Sequence, residues 1–157
     1  MSGWATDWDA RRDGTACPMC DDAGQDDRAD GVRVFEGRWS DAYLGRFPLR
    51  EGYCYVIWKG RHVAEPTELS ADEAAGFWSE VAQVAEALER RYQPRKMNWM
   101  SLGNGVPHLH VHLVPRPVDD PRAGGPIEDE AWEHARDRLL ADDELHRQAD
   151  ALRQLLA

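Results

Sequence analysis

Residues 108–114 read HLHVHLV, a strict alternation of imidazole and aliphatic side chains. A period of two is the period of a β-strand, whose successive side chains point to opposite faces. The stretch predicts a strand with Leu109, Val111 and Leu113 turned into a core. His108, His110 and His112 then form a row on the other face, about 6.5 Å between neighbours. Three of the chain's six histidines lie within these five positions. Burying three imidazoles without partners is costly, so the row points to a function.

Imidazole works as nucleophile, as general acid or base, or as metal ligand. Two readings follow. H-x-H on a strand can place two nitrogens on one zinc. Alternatively, one histidine attacks phosphorus while its neighbours manage charge. The turn-forming GNGVP at 103–107 offers backbone N–H groups to anionic oxygens just before the row. His134 and His146, in an acidic C-terminal stretch, read as ordinary surface residues.

The rest of the chain frames this strand. β-Branched and aromatic segments at 32–39, 41–47, 53–58 and 96–102 predict further strands, with Pro48 and Gly52 as breaks. Residues 67–93 predict the clearest helix. Ser70 and Glu73 make a capping box, Phe77, Val81, Val84 and Leu88 form one apolar stripe, and Pro94 ends it. Residues 128–157 predict a second helical region. The expected fold class is α+β: an antiparallel β-sheet with the long helix packed on it, a C-terminal helix, and helices to one side.

A chain of 157 residues suits one domain. Within it we distinguish an irregular acidic segment at 1–30, a core at 31–118 and an acidic helical extension at 119–157. The net charge of −10 sits at the ends: 8 acids face 3 bases in 1–30, and 11 face 5 in 119–157. Acidic ends around a near-neutral middle argue against a nucleic acid polymer as partner, while a small phosphorylated ligand needs only a few donors. No apolar run approaches the roughly 18 to 20 residues that span a bilayer. The first residues lack the pattern of a secretion signal. The expectation is a cytoplasmic protein without a membrane partner.

Three cysteines, Cys17, Cys20 and Cys54, do not suggest a disulfide framework. Cys54 alternates within GYCYVIW as a small strand residue. The C-x-x-C of ACPMC has three readings: a redox pair, for which no βαβ context is present; two buried thiols; or half of a Cys2His2 zinc site.

Taken together, HLHVHLV followed by PR, the CPMC, GYCYVIWKGRHV at 52–63, the capped helix and N-x-x-x-x-G-N-x-x-P-H at 98–108 resemble the histidine triad (HIT) family of nucleotide hydrolases and transferases. The resemblance covers roughly residues 15–118. It implies that His110 is the nucleophile attacking an α-phosphorus and that His112 serves the phosphate oxygens and leaving group. Asn98, Asn104 and Gly105 would bind substrate. It further implies a structural zinc on Cys17, Cys20, His62 and His108, which removes His108 from phosphate contact. Small nucleotide conjugates, dinucleoside polyphosphates or nucleoside phosphoramidates, would be the substrates, and the protein a homodimer.

Two positions depart from the pattern. Relatives carry a Ser or Thr hydroxyl where this chain has Gly105, and a ribose-binding Asp or Asn where it has Gly45 or Arg46. Two rivals therefore stay open: a zinc-stabilised nucleotide-binding scaffold with little catalysis, and a zinc-dependent hydrolase with the histidines as catalytic ligands. Trp39 and Trp99 are candidates to lie against a base.

Overall fold

The structure, a computed structural model, describes residues 3–157. Six strands form one antiparallel sheet: β1 (Asp27–Arg28), β2 (Gly31–Glu36), β3 (Ser40–Gly45), β4 (Cys54–Trp58), β5 (Lys96–Met100) and β6 (His110–Arg116). Their order in space is β1-β2-β3-β4-β6-β5, so β6 inserts between β4 and β5. Five helices accompany them: α1 (Trp8–Arg12), α2 (Pro18–Asp21), α3 (Ala71–Tyr92), α4 (Asp129–Glu133) and α5 (Asp142–Leu156). The α+β class, with an antiparallel sheet and a long helix on it, is as the sequence predicts.

The alternation along each strand sorts the sheet into two faces. Val32, Ala42, Leu44, Cys54, Val56, Val111 and Leu113 join the stripe of α3 and the apolar side of α5 in the larger core. Within that stripe Phe77, Val81, Val84 and Leu88 are fully buried. The start of α3 is fixed by the expected capping box: Glu73 N–H donates to Ser70 Oγ at 3.3 Å and Ser70 N–H to Glu73 Oε2 at 2.8 Å. The helix closes at Gln93, in the left-handed region at φ 48°, directly before Pro94.

The opposite face carries a smaller aromatic core of Tyr43, Tyr53, Tyr55, Ile57 and Val114. Here the structure departs from helices on one side only. The C-terminal region is not one helix: α4 and a following 3-10 turn (Ala135–Arg138) lay Ile127, Ala131 and Ala135 on this second face. Then α5 puts Leu145, Ala149 and Leu152 on the first. A straight helix cannot bury residues on both faces of a sheet, so the chain breaks at Leu139–Ala141. A new helix starts where Asp142, Asp143 and Glu144 suit an N-terminus. The N-terminal segment, expected to be irregular, contains α1 and α2.

A buried ion-pair cluster anchors the chain as it leaves β6. Asp120 accepts from Arg116 Nε at 2.7 Å and from Arg50 Nε at 2.8 Å, while Arg50 also meets Glu128 at 3.0 Å. It fixes where α4 crosses the aromatic face.

Candidate active site and metal centre

The register of β4 against β6 pairs Tyr55 with His112 and Ile57 with His110, so the histidines stand among the tyrosines of the second face. Their rings are closer than strand spacing alone gives: the His110 and His112 centroids are 4.7 Å apart, at 82°. The cause is a hydrogen-bond chain. His110 Nδ1 lies 2.6 Å from the His108 carbonyl oxygen, His110 Nε2 lies 3.1 Å from His112 Nε2, and His112 Nδ1 lies 2.8 Å from Tyr53 Oη.

The chain assigns the protons. A carbonyl only accepts, so His110 Nδ1 carries the hydrogen and the neutral ring holds a lone pair at Nε2. That lone pair is what a nucleophile needs. Burial favours the neutral form of both rings, holding His110 below the usual histidine range. His112 is pushed down to about 3 by burial first and by His110 second.

Two hollows open on these rings. One, of about 220 Å³, is walled by Phe47, Tyr53, Tyr55 and Trp132, with Asp30 and Arg136 also on its lining. The other runs along Leu102–Val106. Both include His110, His112, Met19 and Trp132. Trp132 of α4 meets His112 edge-on at 5.1 Å.

The loop before the histidines is held from outside. Trp8 Nε1 donates to Asn104 O at 3.2 Å, and Arg11 Nη1 to Gly105 O at 3.0 Å, both from α1. Asn104 and Gly105 thus give their carbonyls to α1, and their N–H groups have no acceptor among the described residues. Backbone amides of this kind receive phosphate oxygens.

Asn98 is not brought to this group. It lies on the same strand face, opposite Val114, but its Oδ1 accepts from Arg116 Nη1 at 2.6 Å. Arg46 points away too, pairing with Asp27 at 2.9 Å and with Asp142. Trp39 stacks on Trp58 at the α3 face, and Trp99, opposite Leu113, stays half exposed on β5. Neither stands beside the histidines. Sequence reading missed Tyr53, Tyr55 and Trp132. The first two are legible in hindsight, since residues 53 and 55 alternate with the buried Cys54.

A second cluster lies at the N-terminal end of β6. One donor atom each from Cys17, Cys20, His62 and His108 lies within 4.8 Å of all the others. Cys17 Sγ and Cys20 Sγ are each 3.4 Å from His108 Nδ1, and Cys20 Sγ is 3.4 Å from His62 Nδ1. Around a tetrahedral Zn2+, bond lengths near 2.3 Å to sulfur and 2.0 Å to nitrogen give sulfur–nitrogen edges of about 3.5 Å. The outer ring nitrogens fit the same role: His108 Nε2 faces Trp58 O at 2.8 Å and His62 Nε2 faces Arg12 O at 3.1 Å. Donating Nε2–H to a carbonyl leaves Nδ1 as the ligating atom. Gly14, at φ +87°, lets the backbone pass beside His62, where an added Cβ would meet the ring at 2.8 Å. All four residues read from the sequence come together here.

Comparison with known proteins places this arrangement. A family model described as the HIT domain matches residues 27–118. An asymmetrical bis(5'-nucleosyl)-tetraphosphatase of Schizosaccharomyces pombe is 28% identical over 96 residues, 57% of this chain and 52% of that protein. The chain thus spans about half the length of that relative. An adenosine 5'-monophosphoramidase of the same yeast is 30% identical over 90 residues, 57% of this chain and 67% of that one. In three dimensions, a zinc-bound histidine triad family protein from Mycobacterium smegmatis superposes with a TM-score of 0.62. It has 21% identity and covers 90% of this chain and 94% of its own. At that identity the likeness is one of fold.

Proposed function

Because this chain belongs to the HIT domain family, we propose that it is a nucleotide hydrolase or nucleotidyl transferase. It acts at the α-phosphate of small nucleotide conjugates, dinucleoside polyphosphates or nucleoside phosphoramidates, through a nucleotidyl-histidine intermediate. The observation that carries the reading is the hydrogen bond from His110 Nδ1 to the His108 carbonyl, which reserves Nε2 as a lone pair inside the cleft.

In the first displacement that lone pair forms a bond to the α-phosphorus as the bond to the leaving group breaks. His112 Nε2–H, aimed at His110 in the resting site, turns to a phosphate or leaving-group oxygen. The amides of Asn104 and Gly105 take non-bridging oxygens. Water or a second phosphate then attacks the same phosphorus, the phosphorus–nitrogen bond breaks, and His110 is restored. Asn98 would act only through Arg116, which it hydrogen-bonds.

Cys17, Cys20, His62 and His108 would hold zinc as a structural ion that fastens the N-terminal segment to β6. Four protein donors leave no open position for activated water, which favours this over a zinc-dependent hydrolase. The scaffold reading rests on Gly105, which brings no hydroxyl to the leaving group. We further propose that the cleft is shared among three segments, 1–30, 31–118 and 119–157, and that the protein works as a cytoplasmic homodimer; sedimentation tests the pairing. No helix among the described residues is long and apolar enough to cross a membrane.

The test is a rapid quench with a dinucleoside polyphosphate. The expected result is a nucleotidyl mass increment on the peptide containing His110, absent from His110→Ala. Full turnover by His110→Ala defeats the nucleophile assignment, and nucleotide binding without turnover supports the scaffold.

A further inference from the structure

His112 is committed at both ring nitrogens. His110 presents a lone pair at Nε2, so the hydrogen between the two Nε2 atoms belongs to His112. A neutral His112 with its hydrogen on Nε2 has an accepting Nδ1, and Tyr53 O–H donates to it at 2.8 Å. Nothing around the ring supports a second proton. Tyr55 faces it from β4, Trp132 lies against it from α4, and Met19 comes from α2. Asp30, the carboxylate lining the adjoining hollow, accepts from Tyr55 Oη at 2.8 Å and Arg28 Nε at 3.1 Å instead.

This arrangement limits what His112 can give. Losing the Nε2 proton outright would leave an imidazolate, or a tyrosinate if the Tyr53 proton followed to Nδ1. Tyr53 is buried, its phenol held well above the usual tyrosine range by desolvation first and by the Asp30 carboxylate second, and the guanidinium on the hollow's lining, Arg136, lies over the Phe47 ring instead. Donating a hydrogen bond without releasing the proton has no such cost.

We propose that His112 acts as a neutral hydrogen-bond donor held in that tautomer by Tyr53, so that the site is restricted to phosphoric anhydrides and excludes phosphoramidates. The inference rests on the reading of His110 as the nucleophile. With an anhydride, the His110–phosphorus bond forms, the phosphorus–oxygen bond breaks, and the electron pair stays on oxygen as a phosphate or polyphosphate anion; no proton moves. With a phosphoramidate the pair would fall on nitrogen, a far stronger base, which must gain a proton to leave. Gly105 supplies no side-chain proton either. Tyr53 is thus a positioning residue whose hydroxyl sets the substrate class.

The experiment compares kcat/KM for an adenosine polyphosphate conjugate and an adenosine phosphoramidate. Wild-type chain is expected to favour the anhydride by at least about 100-fold, the scale of a missing general acid. Tyr53→Phe, which keeps the ring, lowers kcat on the anhydride with little change in KM. Tyr53→Glu, which can only accept from Nδ1–H when ionised, lets His112 hold a proton to release and shifts the ratio toward the phosphoramidate by about 10-fold or more. Nitrogen NMR of His112 should show the hydrogen on Nε2 in the wild type. Equal turnover of both substrates by the wild type, or a hydrogen on Nδ1, overturns the inference while leaving His110 in place. Turnover of neither substrate removes the nucleophile reading, and this one with it.

Discussion

The Nδ1 atom of His108 stands 3.4 Å from Cys20 Sγ, although 88 positions separate them in the chain. Burial and the neighbouring Cys17 push the Cys20 thiol up to about 11, so without a cation it stays protonated. Zinc would bring it in as thiolate. We expect about one zinc per chain by elemental analysis. Chelation or Cys20→Ser should lower Tm by roughly 10 °C or more, as loss of a structural zinc does. Chelated chain that remains folded should still form the His110 adduct. Adduct formation abolished in folded, metal-free chain argues for a catalytic metal.

Gly105 invites a gain rather than a loss. A Cβ built there meets nothing within 4 Å, so Gly105→Ser should fit without strain. Its hydroxyl would stand in the hollow shared with His110 and His112. One added hydrogen bond to a charged leaving oxygen is worth up to about 10-fold in rate. The expected outcome is a higher kcat at unchanged Tm, measured by steady-state turnover and thermal melting. An unchanged kcat would mean that the position does not face the leaving group.

Acid should weaken the fold through His112. Its folded-state value, about 3, lies below the 6.5 of a free histidine. Between those values the unfolded chain binds the extra proton, so stability is complete above about pH 6.5 and falls as pH drops toward 3. The slope is on the order of 1 kcal/mol per pH unit for this one group. Urea midpoints at pH 7, 5.5 and 4.5 measure it, and His112→Asn should flatten the decline.

Asp120 ties β6 to the segment that leads into α4. It receives Arg116 and Arg50 within the protein, with its carboxylate out of solvent. Asp120→Asn removes the carboxylate that Arg116 pairs with and leaves Arg50 with Glu128 alone, a loss of roughly 3 kcal/mol. Thermal melts should register the loss. Tryptophan fluorescence should change as well if α4 loosens, because Trp132 rests on His112 and Tyr53.

What was legible in the sequence was governed by local rules. The alternation of HLHVHLV marks a strand, although the strand observed begins at His110 and leaves His108 just before it, and Ser70 with Glu73 marks a helix start. The cysteine and histidine cluster was readable only through the resemblance to the family, since the C-x-x-C by itself left three readings open. Ring geometry was not, since the lean of His112 toward His110 depends on Tyr53 across the strand pair. Nor was the break at Leu139–Ala141, which depends on where the edge of the sheet falls. Asn98 sits at the expected position in the chain, but Arg116 takes its side chain, and a linear pattern does not show such competition.

The small helix α1 has a practical consequence. The family match begins at residue 27, a natural place to cut an expression clone. Such a clone would keep the whole sheet and all of His108, His110 and His112. It would discard Trp8 and Arg11, which hold the carbonyls of Asn104 and Gly105, and both thiols beside His108. A trimmed protein that folds and fails to turn over substrate would then report on its missing leader, with the triad itself intact.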